Sequence, residues 1–236
     1  MLRRLIPAAV FAAVATVGTA FAADFAACSH FFANGKPPVV PVRAGMLPRP
    51  LCFSAFAVLH SGQSRTPIYV AERLNRAVLL DARDEQRTNE FFPDARLPRG
   101  ERADLEDYQG SGFDRGHMAP AGDMATPESM AQSFSLANIV PQYPVNNRKA
   151  WAAIEKATRR YVMRASGDVF IITGPAFDRN PPTIGSHRVW VPQYFFKLVY
   201  DPATNRAWAH WLENRNDAAP SRPLNYEELV HRTGIE

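Results

Sequence analysis

The stretch Asp114-Arg-Gly-His-Met-Ala-Pro120, answered by Asn138 and Asn147, gathers a titratable imidazole, a permanent cation beside it and neutral oxygen ligands for a hard metal ion. These groups are suited to breaking a phosphodiester bond. His117 can take a proton from water, because an imidazole of ordinary pKa near 6.5 is largely unprotonated at neutral pH. Arg115 stays charged and can grip phosphate oxygens through its planar fork of donors. Gly116 between them is expected to let the backbone turn sharply, so that both side chains face one site. Taken alone, a His beside an Arg in a loop is more often structural or solvated.

The elements that must position these groups are legible on either side. Asn138-Ile-Val-Pro-Gln142 is an apolar run with strand character, and Asn146-Asn147 opens a segment in which Trp151, Ile154, Thr158, Tyr161 and Val162 recur three or four residues apart. That spacing predicts a helix with one buried stripe. The implied order is strand, strand, helix, with His117 near the first strand and Asn147 at the helix start, where Asn is also a common N-cap. Glu155 follows Asn147 by about two helical turns and some 80° around the axis, which suits a contact to a metal ion through water rather than direct ligation.

Asp114-Arg-Gly-His117 with Met-Ala-Pro-Ala after it, then Asn138-Ile-Val-Pro-Gln142, Asn147, Trp151 and Glu155, resembles the DNA/RNA non-specific endonucleases with a ββα-metal finger. Cys52 to Leu74, Ile171 to Phe177 and Val191 to Lys197 resemble flanking segments of the same family, so the likeness covers most of the chain after residue 28. The resemblance implies an α+β fold, with a mixed, largely antiparallel sheet carrying the finger. It also implies a metal-dependent endonuclease acting on DNA and RNA through their phosphates. In that reading His117 is the general base, Asn147 the direct protein ligand of Mg²⁺, Mn²⁺ or another divalent cation, and Arg115 a phosphate contact. Glu155 acts in the outer sphere, Asn138 positions His117 or the metal waters, and Asp114 braces the turn. A second phosphate arginine is expected in the segment before the finger; Arg87 is the choice and Arg83 its competitor. A homodimer and an inhibitor protein are further partners to test for. The alternatives are a catalytically silent nucleic-acid-binding protein of the same fold and a hydrolase of other phosphodiesters. The chain has no Gly-x-Ser-x-Gly elbow and no His-Glu-x-x-His helix to support serine or zinc hydrolysis.

Residues 1–23 carry Arg3 and Arg4, an apolar run from Leu5 through Val17, and Ala20-Phe-Ala22, the pattern of a signal peptide with its cleavage site. The expectation is a periplasmic or secreted protein, residues 24–236 forming one domain, with no stable membrane association after cleavage. An uncleaved anchor is the alternative, but the apolar run is short for a span of about 20 residues. Removing residues 1–23 takes two of the 27 Lys+Arg and none of the 23 Asp+Glu, leaving +2. Bulk charge therefore does not identify a nucleic-acid partner, and attraction must come from a local patch around Arg87, Arg115, Arg148 and Lys149. Cys28 and Cys52 are the only cysteines, and an even count in an exported chain suggests one disulfide.

Five prolines between the cysteines predict an extended arm over residues 24–50. Leu51 to Leu59 and Pro67 to Ala71 read as partner strands, residues 81–112 as a long excursion into the site, and Asp168 to Phe177 as a buried strand. Arg188 to Tyr200 and Arg206 to Leu212 read as a hairpin around Asp201-Pro-Ala-Thr-Asn205, and Ser221 as the cap of a short helix through Val230.

Overall fold

Alternation of apolar side chains makes a sheet that is buried on both faces. In a computed structural model, which describes residues 20–21, 24–41 and 45–236, six strands pair antiparallel throughout. In chain order these are β1 (Pro48–Cys52), β2 (Phe56–Ser61), β3 (Thr66–Leu74), β6 (Val169–Ala176), β7 (Tyr194–Asp201) and β8 (Arg206–Glu213), arranged in space as β8-β7-β6-β3-β2-β1. The intervening β4 (Asp114–His117) and β5 (Ile139–Gln142) form a separate antiparallel pair. Odd and even residues of β2 and β3 go to different cores, as the two-residue period of a strand requires. Val58 and Val70 face Met118, Phe134, Trp151 and Ile154 of the β4–β5 layer. Ala57, Leu59, Tyr69 and Ala71 face Phe25, Phe31 and Phe32 of the N-terminal arm and Leu229 of the last helix. The fold is α+β.

The arm is not simply extended. Residues Ala26–Phe31 and Ala33–Gly35 are 3₁₀ turns, and a disulfide joins buried Cys28 to Cys52 at the end of β1. Closing a loop of that length contributes about 3 kcal/mol in the chain-entropy view. The expected strand over 51–59 divides into β1 and β2, because Phe53 and Phe56 bond across a tight turn. In the predicted hairpin only Tyr194 onward joins the sheet; Val189–Trp190 pairs with Thr183–Ile184 instead. Asn225, not Ser221, caps the last helix, its Oδ1 accepting from the Glu228 amide at 2.8 Å, and the helix runs Tyr226–Thr233. The sequence assigned to a signal peptide lies outside the described residues apart from Ala20–Phe21, which pair with Val40–Pro41. Among the described residues no helix is long and apolar enough to cross a membrane.

His60 on β2 tests how far this core penalises charge. The ring is fully buried, Nε2 meets the Glu101 carbonyl at 2.8 Å, and Nδ1 has no partner among the described residues. Burial pulls its pKa down to about 4. The unfolded chain takes up this proton near pH 6.5 and the folded chain only near 4, so stability from this group is full above pH 6.5 and falls as pH drops through that window. At about 1.4 kcal/mol per pKa unit the loss approaches 3 kcal/mol. His60→Gln keeps a donor for Glu101. Subtracting its denaturant-melt stabilities from the parent's between pH 7 and 4 should show that slope; a flat difference would contradict the burial argument.

Candidate active site

β4 and β5 pair with Asp114 opposite Gln142, Arg115 opposite Pro141, Gly116 opposite Val140 and His117 opposite Ile139. The chain then enters a helix whose first turn, Asn146–Trp151, is π and which continues as an α-helix over Ala152–Val162, here the finger helix. Strand, strand, helix is the order read from the sequence. Trp151, Ile154, Thr158 and Val162 are its buried stripe. The π turn changes the angular relation of Asn147 to Glu155, because 100° per residue holds only in the α part. Asn147 is not the cap, since Val145 precedes the first helical residue.

Gly116 does not make a turn. It sits in a regular strand, and Arg115 and His117 share a face only in the sense that residues two apart on any strand do. Glycine is needed there because a Cβ would collide with the Gln142 side chain. Nε2 of Gln142 donates to Oδ1 of Asn146 at 2.8 Å, and Nδ2 of Asn146 donates to the carbonyls of Glu213 and Arg215. The glycine thus lets the helix start dock on the sheet. Gly116→Ala should cost about 1 to 3 kcal/mol by overpacking. A melting temperature equal to the parent's would show that Gln142 moves freely.

His117 is 7% exposed, and Nε2 is buried without a hydrogen-bond partner among the described residues. Its ring lies 5.5 Å from Phe91 and 5.0 Å from Phe134. The same two rings carry the arginines: the Arg115 guanidinium lies 5.0 Å from the centre of Phe91, and that of Arg87 lies 5.0 Å from Phe134. Burial, with the positive Arg87 adding to it, lowers the His117 pKa to about 3. The imidazole is therefore unprotonated at neutral pH. Asn138 lies wholly inside, Oδ1 accepting from the Ala119 amide and Nδ2 donating to the Ala119 and Ser133 carbonyls, each at 2.9 Å. It holds the chain just beyond His117.

Asp114 acts as a clamp rather than only as a brace for a turn. Its Oδ2 accepts from Nδ2 of Asn147 at 2.9 Å and from Nε of Arg148 at 2.8 Å, while Oδ1 accepts from Nη2 of Arg148 at 2.6 Å. With the Asn147 nitrogen engaged, its neutral oxygen is the atom left for a ligand. Arg87, Arg115, Asp114, Asn147 and Arg148 line one cleft of about 380 Å³, together with the aromatic rings of Phe91, Tyr108 and Phe113. Arg83 lines a different cleft.

Beneath the finger helix lies a polar layer that sequence reasoning missed. Glu72, Thr173 and Lys197 are buried on the sheet face below it, with Lys197 Nζ donating to Thr173 Oγ1 at 2.7 Å. Burial pushes half-buried Glu155 up to about 7, opposed mainly by Lys197 and reinforced by Asp123. Nη1 of Arg159, one turn beyond Glu155, donates to Oδ1 of Asp123 at 2.8 Å. The four-residue spacing from Glu155 was the available signal for Arg159; nothing in the sequence pointed to Glu72.

With this geometry in place, comparison with known proteins is informative. The DNA/RNA non-specific endonuclease profile matches residues 40–236. The chain belongs to the DNA/RNA non-specific endonuclease family. It is 36% identical over 242 aligned residues to Nuclease 1, mitochondrial, of Schizosaccharomyces pombe, covering 90% of this chain and 70% of that protein. It is 30% identical to human Endonuclease G, mitochondrial, covering 72% of this chain and 59% of that one. Against the Xenopus laevis Nuclease EXOG, mitochondrial, it spans 42% of the relative. A solved chain from the crystal structure of the EndoG/EndoGI complex superposes with a TM-score of 0.72 at 25% identity, covering 79% of this chain and 84% of that one. The relatives of this family member are nucleases, and these comparisons overturn the periplasmic or secreted expectation. The yeast, frog and human proteins are mitochondrial, which points to a mitochondrial rather than a secreted setting.

Proposed function

We propose that this chain is a divalent-metal-dependent endonuclease that hydrolyses DNA and RNA without reading base sequence. The observation that carries the proposal is the unpartnered, buried Nε2 of His117, whose ring packs against two touching aromatic rings that also carry the guanidiniums of Arg115 and Arg87. Arg87 and Arg115 line one cleft, and His117 packs against the two rings that carry them. His117 takes the proton of the attacking water at Nε2. Arg115 and Arg87 hold the phosphate, whose negative charge offsets the field of Arg87 and raises the basicity of the imidazole when substrate is bound.

The donor set fits a hard cation that keeps most of its water. Among the described residues no group of three or more His, Cys, Asp or Glu side chains could cage one. The neutral oxygen of Asn147, oriented by Asp114, is the ligand this chain offers, and Mg²⁺ or Mn²⁺ suits such a site. When bound, the ion neutralises charge developing on the phosphate. Glu155 would accept hydrogen bonds from water that such an ion keeps. Contacts confined to phosphate explain why base sequence goes unread. By analogy with the complex in which EndoG is inhibited, an inhibitor protein is proposed as a partner, and a homodimer as an assembly to be read by light scattering.

The test is supercoiled plasmid and RNA incubated with the purified chain under Mg²⁺, Mn²⁺ or EDTA. Nicking of DNA and cleavage of RNA that EDTA abolishes is the expected result. Cleavage persisting in EDTA would remove the metal, and no cleavage with either ion would favour a silent binder.

A further inference from the structure

The finger helix has a second chemical surface that the proposed reaction does not use. Lys156 and Arg160 on the helix and Arg164 in the turn that ends it stand four residues apart. At 100° per residue they fall within one stripe about 80° wide. All three are exposed, and none has a salt-bridge partner among the described residues. Together with Arg83 from across the gap they rim a cleft of about 510 Å³ floored by Leu79 and Met163. Arg159 also lines it, and no carboxylate does. The net charge of the whole chain is only +4, so four exposed cations without a counter-charge form a local concentration.

Two short segments tie this cleft to the catalytic one. Arg83 and Arg87 are four residues apart, at most about 14 Å of chain, and line the two clefts respectively. Gly122, in the turn soon after His117, lines the second cleft directly. Along the helix, Asn147 and Arg164 are separated by roughly 25 Å at 1.5 Å per residue, or about seven base-pair steps at 3.4 Å. Ala153 and Ala157, beside the stripe, leave room for a bulky ligand to approach.

We infer that Lys156, Arg160 and Arg164, with Arg83 opposite, form a phosphate rail that binds the backbone of a nucleic-acid duplex several steps from the cut. This rests on the nuclease reading for the identity of the polyanion, and three cations about 6 Å apart along the helix suit an extended phosphate backbone rather than a single phosphate. An enzyme that ignores bases gains its affinity from such contacts, each of which adds about 0.9 to the dependence of log affinity on log salt. The rail should make long duplexes better substrates than short ones without touching the chemistry.

The test is a triple variant, Lys156→Gln, Arg160→Gln and Arg164→Gln, in which glutamine preserves helix propensity. Binding of a labelled duplex of about 30 base pairs, long enough to overrun the rail, is measured by fluorescence anisotropy in EDTA across a salt series. The salt slope should fall by about 2 to 3 and Kd should weaken. With Mg²⁺, KM for the long duplex should rise, while turnover of a single-phosphodiester chromogenic substrate stays at the parent level. Unchanged Kd and slope would overturn the rail, as would a parent chain that fails to bind duplex at all. Equal loss on the chromogenic substrate would also overturn it, by showing damage to the catalytic cleft. Binding of phosphatidylserine-containing vesicles that the triple variant loses, with duplex binding intact, would assign the patch to a membrane surface instead. If the parent binds duplex through these residues yet cleaves nothing with Mg²⁺ or Mn²⁺, the rail stands and the nuclease reading fails.

Discussion

His117→Ala should lower turnover on both DNA and RNA by about 10²- to 10⁴-fold, the range a positioned general base contributes. The fold should survive, because the imidazole is a neutral ring in an aromatic pocket rather than a hub of hydrogen bonds. Removing it leaves a space beside Phe91 and Phe134 that free imidazole can enter, so added imidazole should restore part of the rate. Raising Mg²⁺ should not. The parent's activity should not show an acid limb near pH 6.5 in the free enzyme, since burial and Arg87 keep this imidazole unprotonated down to about pH 3. Measuring kcat for parent and variant, and the parent's kcat/KM across pH for the free enzyme, with circular dichroism to verify folding, decides the matter. A variant within a few-fold of the parent on both substrates would end the assignment of His117 as the base.

Asn147→Ala should be as damaging at low Mg²⁺ and should recover as Mg²⁺ is raised, because it removes a ligand rather than the base. The clamp sharpens this expectation. In the parent, Asp114 accepts a hydrogen bond from the Asn147 nitrogen. Asn147→Asp exchanges that donor for a carboxylate oxygen facing another carboxylate, so the substitution should be impaired despite adding a charged oxygen ligand. Asn147→Asp combined with Asp114→Asn should regain metal affinity over Asn147→Asp alone. Isothermal calorimetry of Mg²⁺ or Mn²⁺ binding reads this apart from catalysis. Equal metal affinity in the parent and Asn147→Ala would place the ion elsewhere.

Much of this site was legible in the sequence because its chemistry is local. Asp114 to His117 lie on one strand, and Asn147 and Glu155 on one helix, so residue types and short spacings nominated the candidate groups and gave the strand-strand-helix order that carries them. The Cys28–Cys52 pair followed from there being no other cysteine. Tertiary structure decided what depends on residues far apart in the chain. It packed the touching rings of Phe91 and Phe134 against His117, assigned Arg87 and Arg83 to different clefts, and turned Asp114 into a clamp on a helix that begins some thirty residues later. It also moved the role of Gly116 from a turn to close packing against Gln142, since a glycine's need for space shows only when the neighbouring strand is in place. Buried Glu72 was invisible for the same reason: one carboxylate in a strand reads as a solvated residue until the finger helix closes over that face and water is excluded.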